Sequence, residues 1–230
     1  MRRTAADVLI VGCDGPYGTA IAKRLGSDGF RVAGVFHGSL ESGSGIPTIP
    51  WEGFQAADLS GAISRHLPGF SPERIVFVPR PPKAARISDL VAEELISAAD
   101  EALLRAEGAA RYLLSNRAGS GPARLVLLSG WAAMGLPYAS TAAVVMGGLL
   151  GLARSWGLEL APGGITVNAV VAGAGVVGSN WDRSLPPIGH HPTEEEVAHA
   201  VAFLLDERSI AVNGQVLFVC GGLTPGIIPV

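Results

Sequence analysis

The sequence predicts one α/β domain over residues 1–230, a doubly wound parallel sheet of about seven strands with helices on both faces. Three observations predict it. Six short runs, "DVLIVG", "RVAGVF", "RIVFVP", "RLVLLSG", "ITVNAVV" and "QVLFVC", are continuously apolar and rich in Val, Ile and Leu. Strands covered by helices on both faces read this way, whereas a half-exposed strand alternates. Stretches of helical length separate the runs, so strand and helix alternate along the whole chain. The composition, 48% hydrophobic with 31 glycines, is that of a buried globule punctuated by turns.

In order, 7–12 is the first strand, 18–26 the first helix and 31–36 the second strand. "IPTIPW" (46–51) is a weaker strand, placed near an edge because proline cannot donate to a ladder. A helix over 56–66 leads to the strand at 74–79, and a long helix over 87–115 to the strand at 124–130. The helix 139–160 precedes the strand at 165–171, and the helix 194–206 precedes the last strand at 215–220. Thr193 and Glu196, after Pro192, form a capping box that starts this last helix. "SLESGSG" (39–45) and "RAGSGPA" (117–123) are surface loops. No repeat or linker interrupts the chain.

The net charge of -3 and pI near 5.9 leave no basic footprint for nucleic acid. The apolar runs are short and broken by Gly, Pro or charge, so no membrane span is expected. The start lacks a signal peptide's long apolar stretch. Two cysteines, Cys13 and Cys220, predict a reducing, cytoplasmic setting without a disulfide framework. No metal is expected: His190 and His191 are adjacent, and Glu195 with His199 lacks a third ligand. Ser129 and Gly130 lack the first glycine of a Gly-x-Ser-x-Gly elbow.

On this frame, "RSWGLELAPGGITVNAVVAG" (154–173) and "PTEEEVAHAVAFLLDERSIAVNGQVLFVCGG" (192–222) make the chain resemble the short-chain dehydrogenase/reductase family over essentially its full length. The resemblance implies a Rossmann-like fold, and Ala172 stands where that family usually has proline. The family's phosphate loop, Thr-Gly-x-x-x-Gly-x-Gly, becomes "VGCDGPYG" (11–18) here. Gly12 and Gly18 remain, but Pro16 replaces the middle glycine and removes an N–H donor, and Asp14 brings a carboxylate where phosphate should rest. Phe36 occupies the place of the acid that holds the adenosine ribose of NAD. His37 and Ser39 suit a 2′-phosphate, so any retained cofactor is expected to be NADPH. Glu52 aligns with the family's aspartate near adenine, and "PRPP" (79–82) replaces Asn-Asn-Ala-Gly, where Arg80 is a candidate to hold an anionic group of some other ligand.

The register of "GLARSWGLEL" (151–160) places the family's Tyr-x-x-x-Lys over Ala142 and Met146, which offer neither a proton nor a charge. Tyr138, one helical turn earlier, and Ser129, at a strand's carboxyl end, are the remaining catalytic candidates. Trp131, Met134, Ala142, Met146 and Trp181, with Arg80, are expected to wall a pocket for a small apolar substrate. The lid between Gly173 and Pro192 is short.

The leading expectation is an atypical biosynthetic enzyme performing cyclisation, dehydration or elimination on an apolar intermediate, without nicotinamide cofactor. Standard carbonyl reduction is expected to be improbable. Two alternatives stand beside it: an NAD(P)-dependent, ketoreductase-like oxidoreductase with a rebuilt site, and a catalytically silent subunit of a hetero-oligomer. A homodimer or homotetramer through the family's fourth and fifth helices is expected, the small-residue face "AAVVMGGLLGLA" (142–153) suiting such packing.

Overall fold

The structure, a computed structural model, describes residues 6–36, 45–116, 121–173 and 185–224. Its strands are β1 Asp7–Val11, β2 Arg31–Val35, β3 Thr48–Ile49, β4 Arg74–Phe77, β5 Ala123–Gly130, β6 Ile165–Ala172 and β7 Val216–Val219. Its helices are α1 Pro16–Ser27, α2 Ala56–His66, α3 Ala92–Ser115, α4 Ser140–Leu160 and α5 Glu194–Leu205. All strand pairs are parallel, in the order β3-β2-β1-β4-β5-β6-β7.

Successive residues of each strand serve opposite faces, and both faces of β1, β4, β5 and β6 are buried, while β7 at the sheet edge is only partly covered, with Leu217 exposed. Leu9, Val11, Ile75 and Phe77 pack with α2, α3 and most of α4, while Val8, Ile10, Val76 and Val126 pack with α1 and α5. This is why the central runs read as continuously apolar: neither face of those strands meets water. Each such side chain contributes about 1.5–3 kcal/mol by leaving water. The chain winds outward from β1 to β3, then returns to β4 on the other side of β1. The two halves diverge there, and the carboxyl ends of β1 and β4 form the crevice where such sheets take ligands.

The expected strands stand, with small shifts that have local causes. β3 keeps only two residues, between Pro47 and Pro50 at the sheet edge. α1 starts at Pro16, not at residue 18, because proline's fixed φ suits the first helical position. α3 starts at Ala92 and not at residue 87: Leu90 and Val91 are extended, which separates a 3-10 turn at Ile87–Asp89 from the helix. The capping box of α5 is formed: Glu196 N–H donates to Thr193 Oγ1 at 3.2 Å, and Thr193 N–H to Glu196 Oε2 at 2.8 Å. Ser140–Gly163 is long and apolar enough, by length and composition, to cross a membrane. It is nevertheless the α4 core helix, packed on β5, β6 and α3.

Candidate functional site

At the end of β1, the N–H groups of Gly12 and Cys13 both donate to the Val35 carbonyl, at 2.7 and 3.0 Å, and turn the chain towards α1. Gly12 takes φ 89°, open to glycine at little cost. A Cβ on Gly18 would stand 2.5 Å from the Gly12 carbonyl oxygen and 2.6 Å from Cys13 Cα, so only glycine lets α1 press onto this turn. Gly15 caps the helix without a side-chain bond, and the space beside it is open. The first N–H groups of α1 therefore face the carboxyl edge of the sheet.

That edge holds a cleft of about 150 Å³, lined by Gly12, Pro16, Tyr17, Arg80, Leu128 and Glu194 among others. The cradle suits a pyrophosphate by its backbone, through the left-handed turn, the close helix and the uncapped N-terminus. Its side chains are mixed in sign, with the carboxylates of Asp14 and Glu194 and the guanidinium of Arg80 around one opening. The Tyr17 phenol, 8% exposed, is pushed up to about 12 by burial and then by the Glu194 carboxylate. Tyr17, Leu128 and Glu194 were not among the residues expected from the sequence. The capping box marked Glu194 as a helix start, but only the packing of α5 against α1 brings it to the cleft.

The expected residues fall in different places. Ser129, 0% exposed, donates its hydroxyl to the Met146 carbonyl of α4 at 3.0 Å, so it binds the helix and does not open to the cleft. Ala142 and Met146 are buried in the apolar cluster shared with α1 and α5. Tyr138 is half-exposed with φ 64°, and the Arg86 guanidinium lies 5.6 Å from its ring centroid. Met134 is exposed, while Trp131 meets Phe218 edge-on, with centroids 6.5 Å apart. Glu52 is exposed beside Trp51, which is buried under Arg105. His37, Ser39 and Trp181 lie outside the described residues, as does most of the expected lid. The structure thus joins Gly12 and Arg80 at one cleft, keeps Gly18 buried against the Gly12 turn behind it, and leaves Ser129, Tyr138 and Glu52 off its lining. No group of three or more His, Cys, Asp or Glu suited to a metal occurs among the described residues.

Residues 80–224 match the family model described as enoyl-(acyl carrier protein) reductase. The chain is 28% identical over 232 residues to (2S)-[(R)-hydroxy(phenyl)methyl]succinyl-CoA dehydrogenase subunit BbsC of Thauera aromatica, covering 93% of this chain and 92% of that one. It is 36% identical over 87 residues to the 3-oxoacyl-(acyl-carrier-protein) reductase FabG of Rickettsia conorii, covering 33% of this chain and 35% of that protein. Among solved structures, the 3-ketoacyl-(acyl-carrier-protein) reductase of Brucella melitensis, complexed with NADH, superposes with a TM-score of 0.82 at 21% identity, over 94% of this chain and 97% of that one.

These findings correct three expectations. Non-redox catalysis, the improbability of carbonyl reduction and the absence of nicotinamide cofactor do not stand against relatives named as dehydrogenases and reductases and a matching family named for a reductase. The physical reason lies in the loop. The sequence shows the side chains lost from it, whereas a pyrophosphate is held chiefly by backbone N–H groups and glycine conformations, and Gly12 and Gly18 retain these.

Proposed function

Because the chain belongs to the short-chain dehydrogenase/reductase family, we propose that it acts in NAD(P)-linked oxidoreduction of an acyl thioester, interconverting a ketoacyl and a hydroxyacyl group as a subunit of an oligomeric cytoplasmic enzyme. The observation that supports it most is the α1 cradle: a glycine turn at φ 89°, a helix pressed onto it and an uncapped N-terminus opening into the cleft. Gly12, Gly15 and the first turn of α1 would hold the pyrophosphate, with Arg80 across the opening. A bound nicotinamide nucleotide would supply or accept the hydride. Tyr138 is the exposed hydroxyl nearest the start of α4 and the candidate for the substrate proton, with Arg86 over its ring.

A second reading is favoured by one specific observation. Ser129 is spent on the Met146 carbonyl, and the buried pair Ala142 and Met146 has no proton to give. In that reading the site is atypical, lacking the Tyr-x-x-x-Lys pair, and this chain is the supporting member of a hetero-oligomer whose other subunit transfers the proton. The partner packs along α3 and α4, where Gly147 and Gly151 permit close approach and Leu104, Val144 and Leu158 are exposed. Calorimetric titration with NADPH and NADH tests the main reading. Micromolar binding supports it; no binding, together with turnover only beside a second subunit, moves the chemistry to that subunit.

A further inference from the structure

The charges around the cleft act unequally on the two redox forms of a nicotinamide cofactor. Three acids open α5: Glu194, Glu195 and Glu196. Glu196 closes the capping box, and Glu195 is exposed. Of the three, Glu194 lines the cleft, at the first helical position, where the helix dipole favours a carboxylate. Glu194 is half-buried, whereas Asp14 and Arg80, the other charged residues of the lining among the described residues, are exposed. Water and salt screen an exposed charge more than a half-buried one. The Glu194 carboxylate is felt inside the cleft, since after burial it is what raises the Tyr17 phenol, and Tyr17 lines the same space.

Position matters as much as sign. From the cradle at β1 and α1, the cleft runs over Val78 and Pro79 after β4 to Leu128 on β5 and Glu194 on α5. In doubly wound sheets the adenosine ribose rests at the end of the second strand, so the β5 side of the cradle is left to the nicotinamide half. The oxidised and reduced forms carry the same phosphates and differ by one positive charge, on the nicotinamide ring. Repulsion between Glu194 and a pyrophosphate is therefore common to both and cancels from the ratio of their affinities. Attraction between Glu194 and the ring's charge does not cancel.

We propose that Glu194 is a specificity-determining residue that makes the cleft hold the oxidised nicotinamide cofactor in preference to the reduced one. The proposal rests on the cofactor reading above and adds which redox form the protein retains. Asp14 acts in the same sense, more weakly because it is exposed, and Arg80 opposes both. Offered the two forms at equal concentration, the protein carries mostly the oxidised one, the loading that oxidation of a hydroxyacyl group requires.

The test is calorimetric titration with NAD and NADH, and with NADP and NADPH, of the full native chain, Glu194→Gln, Glu194→Asp and Arg80→Gln, with circular dichroism to check each fold. The quantity read is the Kd of the reduced form divided by that of the oxidised form. Expected are a ratio above one in the native chain, a fall of about fivefold in Glu194→Gln, a kept ratio in Glu194→Asp and a rise in Arg80→Gln. Added salt should move the native ratio towards that of Glu194→Gln. A merely structural Glu194 would weaken both forms alike, so an unchanged ratio in Glu194→Gln overturns the inference, as does a native ratio below one. Either result, with both forms still binding, leaves the proposed function standing. If Glu194→Gln loses its fold, Arg80→Gln decides: a rise in the ratio supports the inference and no rise overturns it. Binding of none of the four nucleotides by the native chain overturns this inference and the cofactor reading together.

Discussion

Replacing Ser129 with alanine decides whether its hydroxyl serves a substrate or the helix beside it. The hydroxyl is fully buried and donates to the Met146 carbonyl at 3.0 Å. Met146 sits inside α4, where a carbonyl also accepts from the N–H four residues on, so the substitution leaves no orphaned acceptor. The expected cost is therefore that of one hydrogen bond, about 0.5–1.5 kcal/mol. At roughly 2–4 °C per kcal/mol for a chain of this size, the melting temperature falls by a few degrees. Thermal unfolding measures the first quantity, and NADPH-linked turnover of a ketoacyl thioester by the oligomer measures the second. A structural Ser129 lowers the melting temperature and leaves turnover within about twofold. A fall in turnover of about a hundredfold with unchanged melting would refute this reasoning, since it would place the hydroxyl on the reacting carbonyl.

Gly18→Ala drives a Cβ to 2.5 Å from the Gly12 carbonyl oxygen, against backbone that cannot yield. It is expected to lose about 1–3 kcal/mol in urea unfolding and to weaken NADPH binding. Met146→Lys places an ammonium at a position 0% exposed within an apolar cluster. A loss of several kcal/mol at neutral pH is expected, shrinking as pH rises towards lysine's ordinary value of about 10.4, above which the folded and unfolded forms are both neutral. The Tyr17 and Tyr112 phenols are both pushed up to about 12, first by burial and then by carboxylates, Glu194 and Asp7 respectively. Their raised values add stability that is fully present below about pH 10 and is lost as pH rises towards 12, because the unfolded chain releases those protons first. Unfolding followed across that range should show the decline, and Tyr17→Phe should lessen it.

The central strands are legible in the sequence because each is sealed on both faces, so its run carries a single signal. The sequence predicts too early a start for the long helix because Ile87 and Val91 are apolar and in helical spacing, while the extended backbone at Leu90 and Val91 leaves no mark in composition. Arg124 shows another limit: it opens β5 fully buried, its Nη2 donating to the Glu207 carbonyl at 3.1 Å, a partner 83 residues away. At the cleft, Gly12 and Gly18 were readable from their spacing, whereas Tyr17 and Glu194 meet only through the packing of α1 on α5. Ser129 looks available in the sequence because a sequence displays a hydroxyl without its acceptor, here the Met146 carbonyl. The cofactor-free expectation has the same origin: a sequence displays side chains, whereas pyrophosphate loops bind chiefly through backbone N–H groups.

The most direct test is NADPH consumption driven by a 3-ketoacyl thioester, measured with the purified chain alone and with any subunit that co-purifies with it. Thioester-dependent oxidation of NADPH, in the chain or in its oligomer, is the predicted result. A folded preparation that oxidises neither NADPH nor NADH with any ketoacyl thioester, and reduces neither NADP nor NAD with the hydroxyacyl forms, would contradict the proposed function.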